Sequence, residues 1–231
     1  QSENYELSFS LIDWYQFTIP AEAAPALFLA FFLTFAIKVP IFPFHGWMPS
    51  SYTNAPMSLT IIMSGVLSKM GIYGIIRILL PLFSQLSQFY FSSFLWLVII
   101  GSIYASLIAI SSKSPKKILA YSSMAHLGIV VYGFFTLNSE AIWGSFFQTF
   151  NHGIISAALF FGLSVIATKC ETNNYKSIQG IWKHLPVISS FFFIFTLAGV
   201  AFPGTSSFVA ELSIFTGGYR TEPLLTFVAA L

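Results

Sequence analysis

The stretch Phe35-Ala36-Ile37-Lys38-Val39-Pro40-Ile41-Phe42-Pro43-Phe44-His45 decides the fold. It closes a long apolar run and sets two prolines shortly after a lysine. Each proline removes a backbone donor and clashes with the preceding turn, so a helix over this run breaks just after Lys38. A second break is written into Gly199-Val200-Ala201-Phe202-Pro203-Gly204-Thr205-Ser206-Ser207. Irregular backbone at membrane depth persists only where protein or a water-filled cavity covers it, so both breaks imply a polar interior.

That the surroundings are a membrane follows from composition. With 56% hydrophobic and 8% charged residues, against about a quarter charged in a soluble domain, the chain has too few charges to cover a soluble fold. Outward from the first break, apolar runs long enough to cross the roughly 30 Å hydrocarbon layer lie near 23–45, 57–82, 91–111, 116–137, 141–168 and 186–217, with another beginning near 223. They are continuously apolar rather than alternating, which favours helices over a membrane β-barrel. The expected fold is all-α and integral to the membrane, a multi-spanning helical bundle of about 6–7 transmembrane helices with two of them broken. Residues 1–21 form an extramembrane N-terminal segment in this reading, and 22–231 a single transmembrane helical domain. Gln1 is not an initiator methionine and Leu231 falls in an apolar run, so an incomplete chain is expected.

If the runs alternate in direction, one side collects Lys113, Lys116, Lys117, Lys169, Lys176 and Lys183, and the other Arg220. The lysine-rich side is then the cytoplasm or mitochondrial matrix, with Glu3, Glu6 and Asp13 opposite.

A charge near the bilayer centre costs a few kcal/mol, yet Lys38, Lys69 and Glu211 fall within the runs. Lys69 is mid-run, too far from either headgroup layer for its stem to snorkel, whereas Arg77 is near enough to its helix end. Desolvation penalises the charged form of a buried lysine or carboxylate, so such groups can exchange protons near neutral pH. A charge moved at one then alters its neighbours through the low dielectric. His126 and His152 lie in two further runs, where imidazole is a natural intermediate between lysine and carboxylate. A neutral histidine hydrogen-bonded between helices is the plainer alternative. Ser122, Ser123, Thr149, Asn151 and Ser156 nearby suggest a hydrated seam. The candidate relay is therefore Lys38, Lys69, His126, His152 and Glu211, with His45 at a helix end and His184 in an exposed basic loop.

No histidine is paired at i, i+4 with another histidine or carboxylate, and no nucleophile-elbow, Walker or dinucleotide pattern occurs. The lone Cys170 rules out an internal disulfide or a Cys-held cluster, so any redox cofactor belongs to other chains. A net charge of +2 gives no footing for nucleic acid.

The same residues resemble a known family, the antiporter-like membrane subunits of proton-pumping NADH:quinone oxidoreductase, respiratory complex I. The resemblance rests on Phe35 through Pro49 with Ala55-Pro56, and on Ser64-Gly65-Val66-Leu67-Ser68-Lys69-Met70-Gly71. It continues in Lys116-Lys117-Ile118-Leu119-Ala120-Tyr121-Ser122-Ser123 with His126, in His152-Gly153 with Ser156 through Phe160, and in Pro203-Gly204-Thr205 with Phe208 and Glu211. It runs over about residues 22–218 and includes the spacing of the two lysines. One departure is Ser114-Pro115, where an acid usually precedes the lysine pair. The resemblance implies an antiporter-like repeat that moves protons, driven by NADH oxidation and ubiquinone reduction elsewhere. FMN, iron–sulfur clusters, NADH and ubiquinone are expected in partner subunits, with no cofactor in this chain. The implied partners are other membrane-arm subunits and lipid, with either a split gene whose second chain supplies the N-terminal repeat or a fragmentary sequence. The 27 phenylalanines, with isoleucine and serine, suggest an AT-rich organelle genome and the mitochondrial inner membrane. Chloroplast thylakoid and bacterial plasma membrane are the alternatives. Two rival classes are a cation/proton antiporter subunit sharing the fold and a structural scaffold with its charges merely paired.

Overall fold

The structure, a computed structural model, describes residues 10–17, 19–170 and 180–230, without the side chains of Phe91 and Cys170. Gln1, Glu3, Glu6, Lys176 and Leu231 lie outside the described residues.

All regular elements among the described residues are helices. After α1 (Leu11–Gln16), α2 (Ala24–Lys38) ends at the first break and α3 (Trp47–Asn54) resumes beyond it. The Trp47 indole N–H donates to the Ile37 carbonyl across the gap at 2.8 Å, pairing one of the acceptors that a helix end leaves open. An apolar rod, Met57–Leu82, follows. It consists of α4 (Met57–Ile62), α5 (Ser68–Gly74) and α6 (Leu80–Leu82), joined by π turns at Met63–Leu67 and Ile75–Leu79. Then come α7 (Ser84–Phe89), α8 (Phe91–Ser111), α9 (Pro115–Phe135), α10 (Ser139–Cys170), α11 (Ile181–His184), α12 (Pro186–Gly199), α13 (Ser206–Thr221) and α14 (Pro223–Ala229).

The rod, α8, α9 and α10 are each long and apolar enough to cross a membrane, while α2 and α12 are shorter apolar helices. The runs expected at 23–45 and 186–217 are thus two broken helices, α2 with α3 and α12 with α13. In the second break the backbone passes through φ of 49° at Ala201 and 102° at Gly204, and only the glycine takes such an angle without a Cβ penalty.

Contacts at the ends fix the directions. Arg220 Nη1 lies 3.1 Å from Glu140 Oε2, setting the end of α13 beside the start of α10. Lys116 Nζ donates to the carbonyls of Thr53 and Ala55, setting the start of α9 beside the end of α3. This is the alternation on which the lysine count rests. Phe28, Phe32, Phe83, Phe94 and Phe135 fill the bundle end away from the lysines, and Met48, Tyr52, Met124 and Phe160 fill the lysine-rich end. The polar side chains are sandwiched between these two apolar plugs.

Asn138 Oδ1 accepts the N–H groups of Glu140 and Ala141 at 2.9 and 3.4 Å and so caps α10. Asn138→Ala is expected to cost about 1 kcal/mol, seen as a lower Tm of the solubilised protein. The exposed Arg220 pair should be worth less, under about 1 kcal/mol.

Candidate functional site

The site is built where the rod meets α10. A Cβ on Gly153 would stand 2.9 Å from the Gly65 carbonyl, and one on Gly65 would stand 3.3 Å from Ala157 Cβ. Small residues let the two backbones touch, and Lys69, just past the first π turn, comes to face His152. The Ser64 carbonyl on that turn collects three side-chain donors: Ser68 Oγ at 3.2 Å, Ser156 Oγ at 3.4 Å, and Lys69 Nζ.

From Lys69 the polar contacts run across the bundle. Lys69 Nζ is 2.9 Å from His152 Nδ1. The His152 and His126 rings are 6.0 Å apart between centroids. His126 Nδ1 is 3.0 Å from Glu211 Oε1, and the same oxygen accepts from Gln148 Nε2 at 2.8 Å. An ammonium can only donate, so with Lys69 charged His152 Nδ1 accepts and the ring carries its proton on Nε2; His126 Nδ1 donates to the carboxylate. A cavity of about 30 Å³ borders both histidines and Gln148, enough for water, which needs roughly 10–15 Å³. Ser123 Oγ, Ser207 Oγ and Gln148 Oε1 are buried without a partner among the described residues, and all three residues line it. On the other side Lys69 borders an apolar groove of about 640 Å³ between the rod and α10.

Four of the five residues singled out in the sequence thus form one row, supplied in order by α5, α10, α9 and α13. Lys38 does not join it. It ends α2 with its side chain exposed and makes no hydrogen bond or ion pair among the described residues. Its backbone is nevertheless close to the helix bearing Lys69, since a Cβ on Gly71 would meet Lys38 Cβ at 2.9 Å. His45 is buried beside the first break, stacked on Phe42 at 5.6 Å. His184 is exposed, as its loop position implies.

The sequence reading missed Gln148. A neutral amide in an apolar helix draws no attention by charge. Its spacing of four from His152 puts both on one face of α10, and that was the available signal.

Apolar helices, two of them broken, around a buried lysine–histidine–carboxylate row have the architecture of an antiporter-like transmembrane subunit. The chain belongs to the NADH:quinone oxidoreductase/Mrp antiporter transmembrane family, whose model matches residues 2–231. It is 40% identical over 213 residues to NADH-quinone oxidoreductase subunit M of Rickettsia felis, covering 92% of this chain and 43% of that protein. It is 39% identical over 205 residues to NADH-ubiquinone oxidoreductase chain 4 of Chondrus crispus, covering 89% and 42%. A chain in the respiratory complex I of Thermus thermophilus with bound NADH matches with a TM-score of 0.90 at 29% identity, over 96% of this chain and 48% of that one. The chain spans less than half the length of these relatives.

Proposed function

We propose that this chain is a proton-translocating membrane subunit of an NADH:quinone oxidoreductase, of the chain 4 type, passing protons along Lys69, His152, His126 and Glu211. The observation that carries the reading is the placement of four ionisable side chains in one interior row, hydrogen-bonded at Lys69–His152 and at His126–Glu211, with the two imidazole rings 6.0 Å apart beside a cavity large enough for water. NADH, FMN, iron–sulfur and quinone chemistry belongs to partner subunits in this reading. A second polypeptide segment would supply the remaining half of the subunit and cover Lys38. Relatives named NADH-ubiquinone oxidoreductase chain 4 and the phenylalanine-rich composition support the mitochondrial inner membrane.

Glu211→Gln tests the reading. Glutamine keeps the size and hydrogen-bonding reach of the side chain but cannot ionise. The assembled complex should therefore oxidise NADH with fewer protons moved per electron. An unchanged proton yield in the assembled variant rejects the role.

The Mrp branch of the family description favours one second reading, a cation/proton antiporter subunit. Sodium-dependent transport in preparations free of flavin and iron–sulfur subunits decides for it. Full pumping after joint loss of Lys38, Lys69 and Glu211 would instead leave a scaffold.

A further inference from the structure

We infer that Gln148 is a positioning residue for the final transfer of the row, holding the Glu211 carboxylate against His126 and dividing the work between its two oxygens. The inference deepens the proposed function and rests on it.

A carboxylate oxygen has two lone-pair sites. Glu211 Oε1 uses both, one for His126 Nδ1 at 3.0 Å and one for Gln148 Nε2 at 2.8 Å. Oε2 has no protein partner among the described residues. A proton arriving through His126 therefore meets Oε1, and onward release goes through Oε2. Gln148 moves no proton itself, because its amide does not titrate near neutral pH. The orientation of the amide is set by its neighbour: flipped, it would point an acceptor oxygen at an acceptor oxygen. In the orientation observed, Gln148 Oε1 is buried without a partner among the described residues, and Gln148 borders the small cavity beside His126. The residue is 2% exposed and fixed within the helix that also carries His152. One rigid segment therefore holds both the histidine facing Lys69 and the donor that aims Glu211.

Three variants test this in membranes carrying the complete assembly. Gln148→Met preserves volume and removes the donor. Gln148→Leu likewise removes the donor, with a branched side chain of similar volume. Glu211→Gln reports on the row itself. Co-purification of partner subunits scores assembly, a pH-sensitive dye scores proton delivery, and infrared difference spectra follow the carboxylate band lost in Glu211→Gln. Both Gln148 variants should slow proton delivery about tenfold, the scale of one hydrogen bond to a charged group, and should shift the Glu211 band. A packing role alone would leave that band in place. If Glu211→Gln is defective while either assembled Gln148 variant pumps at the full rate with an unshifted band, the positioning role is overturned. If Glu211→Gln itself pumps fully, it is the proposed function that fails.

Discussion

Replacing Lys69 by methionine is expected to stop proton movement through this chain while leaving the bundle folded. Methionine has nearly the same length, and its introduction removes a charge that the membrane interior tolerates only at a cost of a few kcal/mol. The crossing of Gly65 on Gly153 does not involve the ammonium, so the rod and α10 stay in register. What is lost is the donor to His152 Nδ1 and to the Ser64 carbonyl. The Ser64 carbonyl keeps its donors Ser68 and Ser156; leaving His152 Nδ1 unpaired costs about 1–3 kcal/mol, and His152 can relieve part of it by exchanging tautomers. In the proposed relay transport has no such escape, because the row would lose its first proton carrier. Removal of a positioned proton donor typically slows transfer by about a hundredfold or more. NADH-driven acidification in sealed vesicles should fall accordingly. Lys69→Arg should be equally inactive, since guanidinium keeps its charge and cannot release its proton. Normal acidification by either assembled variant would exclude Lys69 as a carrier.

The second large effect is structural in origin. Gly144 lies where α10 presses on α13. A Cβ there would stand 2.8 Å from both the Ala210 carbonyl oxygen and the Ile214 nitrogen, and 2.9 Å from Ser213 Cβ. These are mostly backbone atoms of one helix, so relief requires α13 to move as a body. Because α13 carries Glu211, that movement lengthens its contacts to His126 and Gln148 together. Gly144→Ala should cost about 1–3 kcal/mol, as overpacking does, with a graded loss of proton transport. Gly144→Leu should prevent stable assembly. Gly199→Ala is the control, its added methyl meeting Ile155 and Leu159 only at an ordinary 3.6 Å. Thermal unfolding in detergent together with the vesicle assay separates these cases. Equal behaviour of Gly144→Leu and Gly199→Ala would mean that the α10–α13 approach does not set the site.

Much of this arrangement was legible because its signals are local. Pro40, Pro43, Pro203 and Gly204 punctuate helices through their own backbone chemistry, so both breaks could be placed within a residue or two. Lys69, His126, His152 and Glu211 were conspicuous because ionisable groups are rare in lipid, and their gathering follows from helices that all pass the same depth. Lys38 shares that chemistry and yet stands outside the row. The direction a helix-end residue faces is decided by packing with α5, which no composition reveals. Gln148 escaped for the opposite reason, being an ordinary amide whose importance comes from a partner 63 positions away. The π turns left no trace either, since Met63-Ser64-Gly65-Val66-Leu67 reads as a plain apolar helix.

The first of those turns sets the phase of the screw. A π turn holds one residue more than an α turn, so everything after it is wound back by about 100° relative to an uninterrupted α-helix. Were the same sequence wound there as α-helix, Lys69 would take the angular position Met70 now holds. Met70 is 57% exposed, so the ammonium would face outward rather than His152. The aim of the whole row is thus a matter of counting along the main chain, settled before any charged group is brought near another.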